Sequence, residues 1–267
     1  MSLYFKTKII LLKFLNRKVL SLKFLQKITN PLKLHIQGYT MEDLIKKYAP
    51  GKSFVDIGSL WAINGYFSFL AESCGARRVI AVDILTETEE FRQAKRQKNS
   101  KVEFICGDIH LPETTQKIGT CDVVFCSGVL YHSPNPLHLI MMLRSICRET
   151  LILKTQLIPE VPGIKNAAVF YPFLDKKQRK LYDRGAGIQK AITEDYDPKS
   201  GYGNWFWGPS PSCVKSMLEC AGFTIEKSYL NPFHGCFICK TAPVKFMPVS
   251  GELAPDYNQP KPYKHSQ

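Results

Sequence analysis

The sequence predicts an α/β fold. The expected core is a doubly wound, Rossmann-like sheet, mostly parallel, with a C-terminal antiparallel hairpin and an insert after the fifth strand. Three observations carry this expectation. Short apolar runs at 54–57, 78–82, 102–106 and 122–126 each lead into a glycine or an acid. Segments of helical length separate most of them, as alternating β and α units require. Finally, Asp56-Ile57-Gly58 followed by Gly65 reads as a strand, a glycine loop and a helix N-terminus. That layout lets the backbone approach a nucleotide-like ligand closely.

Residues 1–38 alternate short apolar clusters with lysines. Thr40-Met41-Glu42-Asp43 carries a capping-box-like start for a short helix to Tyr48, and Pro50-Gly51 breaks it before the first strand. Helices are expected over 65–74, 86–98 and 136–147, with the fifth strand over 149–157. Strict alternation implies a parallel sheet with right-handed crossovers. Residues 158–208 break the pattern with Tyr171-Pro172-Phe173, Gly185-Ala186-Gly187 and Gly201-Tyr202-Gly203. The aromatics argue for an ordered lid or substrate-binding insert. Ser210 caps a helix over 211–221, Gly222 stops it, and 223–229 pairs with 236–241 to close the sheet. From Pro243 the chain is proline-rich and polar, read as a loose tail. The domain plan is an extension (1–38), a catalytic domain (39–242, with the insert at 158–208) and a tail (243–267).

Composition narrows the class. At 267 residues, 45% hydrophobic and 22% charged, the chain has ample material for a layered globular core. Net charge is +13 and the pI is about 9.3. Eight cations (Lys6, Lys8, Lys13, Arg17, Lys18, Lys23, Lys27, Lys33) precede the first acid, Glu42; removing these eight leaves +5 for the rest. The basicity therefore belongs mostly to the extension. Its longest apolar run, 9–12, falls far short of the roughly 20 residues that span a bilayer, and no small-residue cleavage site follows. Three roles stand open for residues 1–35: packing on the catalytic domain, lying on anionic lipid, or contacting nucleic acid. Nine cysteines lack framework spacing, which points to reduced thiols and a cytoplasmic location. Cys236 and Cys239 form a CxxC within an expected strand, where residues three apart face opposite sides, so no metal is expected.

The four strand ends in series resemble the class I S-adenosylmethionine (SAM)-dependent methyltransferases over about residues 39–240. Gly128-Val129-Leu130-Tyr131-His132-Ser133-Pro134-Asn135-Pro136 and Asn204-Trp205-Phe206-Trp207-Gly208-Pro209 are similar to a narrower group, the tRNA wobble-uridine methyltransferases and their relatives. The resemblance implies SAM as cofactor. Asp56, Gly58 and Gly65 would form the loop under its methionine part. Asp83 would meet the ribose hydroxyls, and Asp108 the adenine amino group, with Ile84 and Ile109 flanking the ring. The loop departs from the family pattern, because Ser59 to Asn64 lengthen it. Trp61 and Ile63 must be accommodated, so either the loop bulges or the cofactor end of the site is altered.

Methyl transfer needs a donor and a nucleophile held in line and, for an O–H or N–H acceptor, removal of a proton. Tyr131 and His132 follow the fourth strand, where substrate meets donor in such folds. His132 stands as a base or proton relay, a positioning group or a structural residue. Trp205 and Asn204 are substrate-binding candidates, with Trp205 equally able to brace the insert; Trp207 is read as packing. Lys154, ending the fifth strand, could meet an anionic substrate. The leading function is methyl transfer to an O or N of a small-molecule, sugar-like or lipid-linked acceptor. A tRNA wobble-uridine modifier and a non-catalytic SAM-binding scaffold are the alternatives.

Overall fold

The computed structural model describes residues 40–175, 197–231 and 233–244. The extension, part of the insert and nearly all of the tail lie outside the described residues. Along the described chain run α1 (Met41–Tyr48), β1 (Ser53–Ile57), α2 (Tyr66–Ser73), β2 (Arg78–Asp83), α3 (Glu89–Gln97), β3 (Glu103–Cys106) and α4 (Pro112–Ile118). They are followed by β4 (Cys121–Ser127), α5 (Pro136–Ile146), β5 (Cys147–Gln156), β6 (Ala168–Phe170), β7 (Trp207–Pro209), α6 (Pro211–Cys220), β8 (Phe223–Asn231) and β9 (His234–Thr241).

The main sheet has seven strands in the order β3-β2-β1-β4-β5-β9-β8. The first five are parallel; β9 runs antiparallel to β5, and β8 to β9. This is the expected architecture, with the closing hairpin as the outer edge of the same sheet. β1, β2 and β4 are buried almost throughout, as strands covered on both faces must be.

Two hydrophobic clusters cover the faces. One gathers Leu44 and Ile45 of α1, Phe69 of α2 and Phe91 of α3 over Phe54, Phe125 and Ile152. The other gathers Leu139 and Leu143 of α5 and Val214 and Leu218 of α6 over Val55, Val124 and Leu151. Cys236 belongs to the first cluster and Cys239 to the second, so β9 turns the two thiols to opposite faces.

Several local expectations hold because local chemistry enforces them. Thr40 and Asp43 exchange backbone and side-chain hydrogen bonds at 3.0 Å in a reciprocal capping box. The Ser210 hydroxyl caps α6 by accepting from the Cys213 N–H. Others need correction. Helix α3 starts at Glu89 rather than at residue 86, because the Thr88 hydroxyl accepts the Phe91 N–H and ends the loop there. Between β3 and β4 lies α4, which the sequence reading missed. The insert contributes strands of its own: β6 and β7 pair antiparallel in a separate small sheet.

At the N-terminal end of the main sheet, Asp122 is a buried junction. Its Oδ2 accepts from the Ser53 N–H and hydroxyl at 2.8 Å and from Arg77 at 3.0 Å, and its Oδ1 from Arg148 at 2.9 Å. Burial pushes its pKa up, but the Ser53 hydrogen bonds and the two arginines outweigh that and hold it below the usual carboxylate value.

Candidate active site

The strand order reverses between β1 and β4, and in open α/β sheets ligands bind at such a switch point, outside the carboxyl ends of the strands. Gly58, Asp83, Asp108 and Gly128 all follow or end strands at this edge.

The lengthened loop bulges outward. Gly65 N–H donates to the Ser59 carbonyl at 2.7 Å and closes the loop at its base. Between them the backbone turns back through Ala62 (φ 60°) and Asn64 (φ 44°), leaving Trp61 77% exposed. Asn64 is held from outside by the Thr88 hydroxyl, which donates to its Oδ1 at 2.9 Å. Both glycines are required by protein contacts. A Cβ on Gly58 would lie 2.5 Å from Val129, and one on Gly65 2.4 Å from the Phe91 ring. Both also have positive φ.

Asp83 pins this loop. Its Oδ2 accepts the Leu60 N–H at 2.8 Å and its Oδ1 the Leu85 N–H at 3.0 Å. Each carboxylate oxygen has a second lone pair, so the group can hold the loop and still accept from a ligand hydroxyl. Asp56 faces inward. It is 1% exposed, and its Oδ2 accepts from the Ser68 hydroxyl of α2 at 2.7 Å. Burial, helped by the nearby Asp83 charge, pushes its pKa up to about 7 against the pull of Ser68. Its place is beneath the loop, joining β1 to α2. Ile109 is packed into the core at 4% exposure, while Ile84 is 47% exposed at the same edge.

These residues fit the donor. The Ser59 hydroxyl, fully buried in the glycine loop, has no partner among the described residues. The carboxylates of Asp83, ending β2, and Asp108, following β3, add acceptors suited to ribose hydroxyls and an amine. Asp108 also has a partner the sequence reading missed: its Oδ1 accepts from both the backbone N–H and Nδ1 of His110, at 2.9 and 2.7 Å.

On the acceptor side, the Tyr131 ring lies 4.3 Å from that of His132 and 4.4 Å from that of Trp205. His132 Nδ1 donates to the Asn204 carbonyl at 2.9 Å, which leaves Nε2 as the acceptor of a neutral ring. Burial lowers its pKa, opposed by that hydrogen bond, so the ring is neutral at pH 7. Nε2 has no hydrogen-bond partner among the described residues.

The side chains of Asn204 and Trp205 are buried within the insert. The Asn204 amide donates to the carbonyls of Asp197 at 2.7 Å and Gly201 at 3.0 Å, and its Oδ1 accepts the Asp197 N–H at 3.0 Å. The side chain thus closes its own loop, and the backbone carbonyl is what reaches His132. Trp205 is 7% exposed in a cluster with Tyr171. Trp207 packs on Phe170 and donates its indole N–H to the Pro134 carbonyl at 3.0 Å, which ties the insert to the turn after His132. Lys154 is half-buried at the end of β5 beside Gly128, whose N–H donates to its carbonyl. Its ammonium has no ion-pair partner among the described residues.

Strand order and the residues at the strand ends are those of a Rossmann-like methyltransferase domain. A match to the FtsJ-like methyltransferases runs over residues 37–197, and the chain belongs to that family. Over 113 residues it is 32% identical to a tRNA U34 carboxymethyltransferase from Campylobacter hominis. That alignment covers 41% of this chain and 38% of the relative, so the chain matches well under half of the relative's length. The N-terminal domain of EvdMO1, solved with SAH bound, superposes with a TM-score of 0.51 at 13% identity, covering 79% of this chain and 84% of that one. An O-methyltransferase family protein from Burkholderia thailandensis gives 0.53 at 12% identity, covering 80% and 56%. At these identities the likeness is one of fold. Among the described residues no helix is long and apolar enough to cross a membrane.

Proposed function

We propose that this methyltransferase acts on an O–H or N–H of a small, anionic or sugar-like acceptor, with His132 receiving the proton. The observation that carries this is the fixed orientation of His132. The Asn204 carbonyl occupies Nδ1, and burial keeps the ring neutral, so the open lone pair is at Nε2. SAM brings an activated methyl on a sulfonium, and the protein has to orient and deprotonate rather than activate the leaving group. Asp83 and Asp108 hold the nucleoside end of the donor in this reading, with the Ser59 hydroxyl within the glycine loop. Tyr131, braced by Trp205, walls the acceptor side, and Lys154 supplies a cation for an anionic acceptor group.

A tRNA acceptor is the second reading, favoured by the similarity to the Campylobacter hominis relative. The experiment that separates them is methyl transfer from labelled SAM to a panel of sugar and carboxylate metabolites and, in parallel, to bulk tRNA. Label in metabolites that depends on His132 supports the first reading; label retained in tRNA overturns it in favour of the second.

A further inference from the structure

Asp108 and two residues outside the expected site, His110 and Ser133, form a continuous hydrogen-bonded bridge. Asp108 Oδ1 lies 2.7 Å from His110 Nδ1, and His110 Nε2 lies 2.7 Å from the Ser133 hydroxyl. A carboxylate can only accept, so in a neutral ring Nδ1 carries the proton and Nε2 accepts from Ser133. The Ser133 oxygen in turn accepts the Asn135 N–H at 3.1 Å. A second tie runs in parallel. His138 Nε2 donates to the His110 carbonyl at 3.0 Å, and the two imidazoles stack with centroids 6.0 Å apart.

The order carboxylate–imidazole–hydroxyl is that of a nucleophile relay, but Ser133 is 0% exposed and no substrate reaches it. What the bridge spans matters more. Asp108 follows β3, and Ser133 follows the turn after β4; β2 and β1 lie between those strands in the sheet. The bridge therefore crosses the donor edge. It joins the acid placed at the adenine to the residue immediately after His132.

We propose that His110 is a positioning residue that couples occupancy of the nucleoside site to the acceptor-side turn, acting through Ser133 on Tyr131, His132 and Trp205. The inference rests on the donor reading above. A ligand that engages Asp108 reorients or stiffens the His110 ring. Ser133 transmits this to the Leu130–His132 turn, whose Tyr131 ring packs on Trp205. Such coupling needs one element with two arrangements that both sites bias, and in this proposal that part falls to the loop from Asp108 through His110.

The test uses the full chain carrying Trp61→Phe, which removes the donor-loop tryptophan and leaves Trp205 and Trp207 as reporters. Adenosine is the probe beside SAH, because it has no methionine chain and so does not reach Tyr131 directly. Both ligands should bind by calorimetry and produce a saturable change in tryptophan emission. His110→Asn keeps an N–H for Asp108 but loses Ser133, and Ser133→Ala breaks the bridge from the other end. In each, adenosine should bind within about threefold of the parent while the emission change is lost. Thermal unfolding shows that each variant folds, and either alone decides the matter. An emission change that survives in a folded variant overturns the coupling, as does binding to the parent without any emission change. Failure of the parent to bind either ligand overturns the donor reading and the coupling with it.

Discussion

Asp83 accepts the backbone N–H of Leu60 at 2.8 Å. The acid at the end of β2 thereby fixes the bulged glycine loop that follows β1. At 7% exposure this bond is shielded from water. Asp83→Ala would leave the Leu60 N–H buried without a partner and is expected to cost about 1–3 kcal/mol in urea unfolding. Asp83→Asn retains an oxygen acceptor and should lose markedly less. Equal losses in the two variants would contradict the pinning role.

His132 gives a pH signature. Its pKa lies below the ordinary 6.5, chiefly because it is buried. As a proton acceptor it works only when neutral, so turnover should rise with pH through a midpoint below 6.5 and then stay level. His132→Ala should lower the transfer rate about 10²–10⁴-fold with SAH binding little changed. A profile identical in the variant, at a rate within a fewfold of the parent, would remove the base role.

Asp56 makes the opposite kind of statement. Its folded pKa of about 7 stands above the ordinary 3.8, mainly through burial. Between those values the folded state holds more protons than the unfolded chain, so stability should fall as pH rises from about 4 to about 7. Asp56→Asn keeps a neutral partner for Ser68 and should flatten this slope, gaining on the order of 1–4 kcal/mol relative to the parent at pH 8. Parallel curves for the two proteins across that window would show that Asp56 ionises normally.

Asp122, at the far end of the sheet, tests the scaffold apart from the chemistry. Asp122→Ala removes a buried carboxylate and leaves its four donors without their acceptor, and should cost about 2–4 kcal/mol by chemical denaturation. Affinity for SAH should be unchanged in the fraction that remains folded. A loss of SAH affinity at temperatures where the variant is fully folded would argue against this separation.

What the sequence revealed and what it hid divide along physical lines. β1, β2 and β4 were legible because strands buried on both faces show as continuous apolar runs, and the acids and glycines at their ends follow within a residue or two. The Thr40 and Ser210 caps were legible because capping is a three-residue affair. By contrast, α4 is short and polar, Pro-Glu-Thr-Thr-Gln-Lys-Ile, and has little apolar periodicity to read. β6 and β7 are three residues each and pair across a long stretch of chain, so neither carries a period.

At the site, residue type was readable but orientation was not. Asn204 and Trp205 read from the sequence as substrate-binding candidates, while in the structure the amide closes its own loop and the indole is 7% exposed. His110 was missed because its meaning depends on Ser133, 23 residues away. The available signal was local: an Asp followed two residues later by a His, the spacing at which the aspartate accepts the next-but-one backbone N–H, as Asp108 does.

In the proposed reading, the edge built by the glycine loop, Asp83 and Asp108 binds the donor. Calorimetric titration of the full chain with SAH, beside Asp83→Asn, tests it most directly. The parent should show saturable one-to-one binding and Asp83→Asn about 10–100-fold weaker binding, as loss of charge-assisted hydrogen bonds to the ribose implies. The unfolding midpoint of the variant should stay close to that of the parent. No heat of binding in a folded parent, or equal affinity in the two proteins, would contradict it.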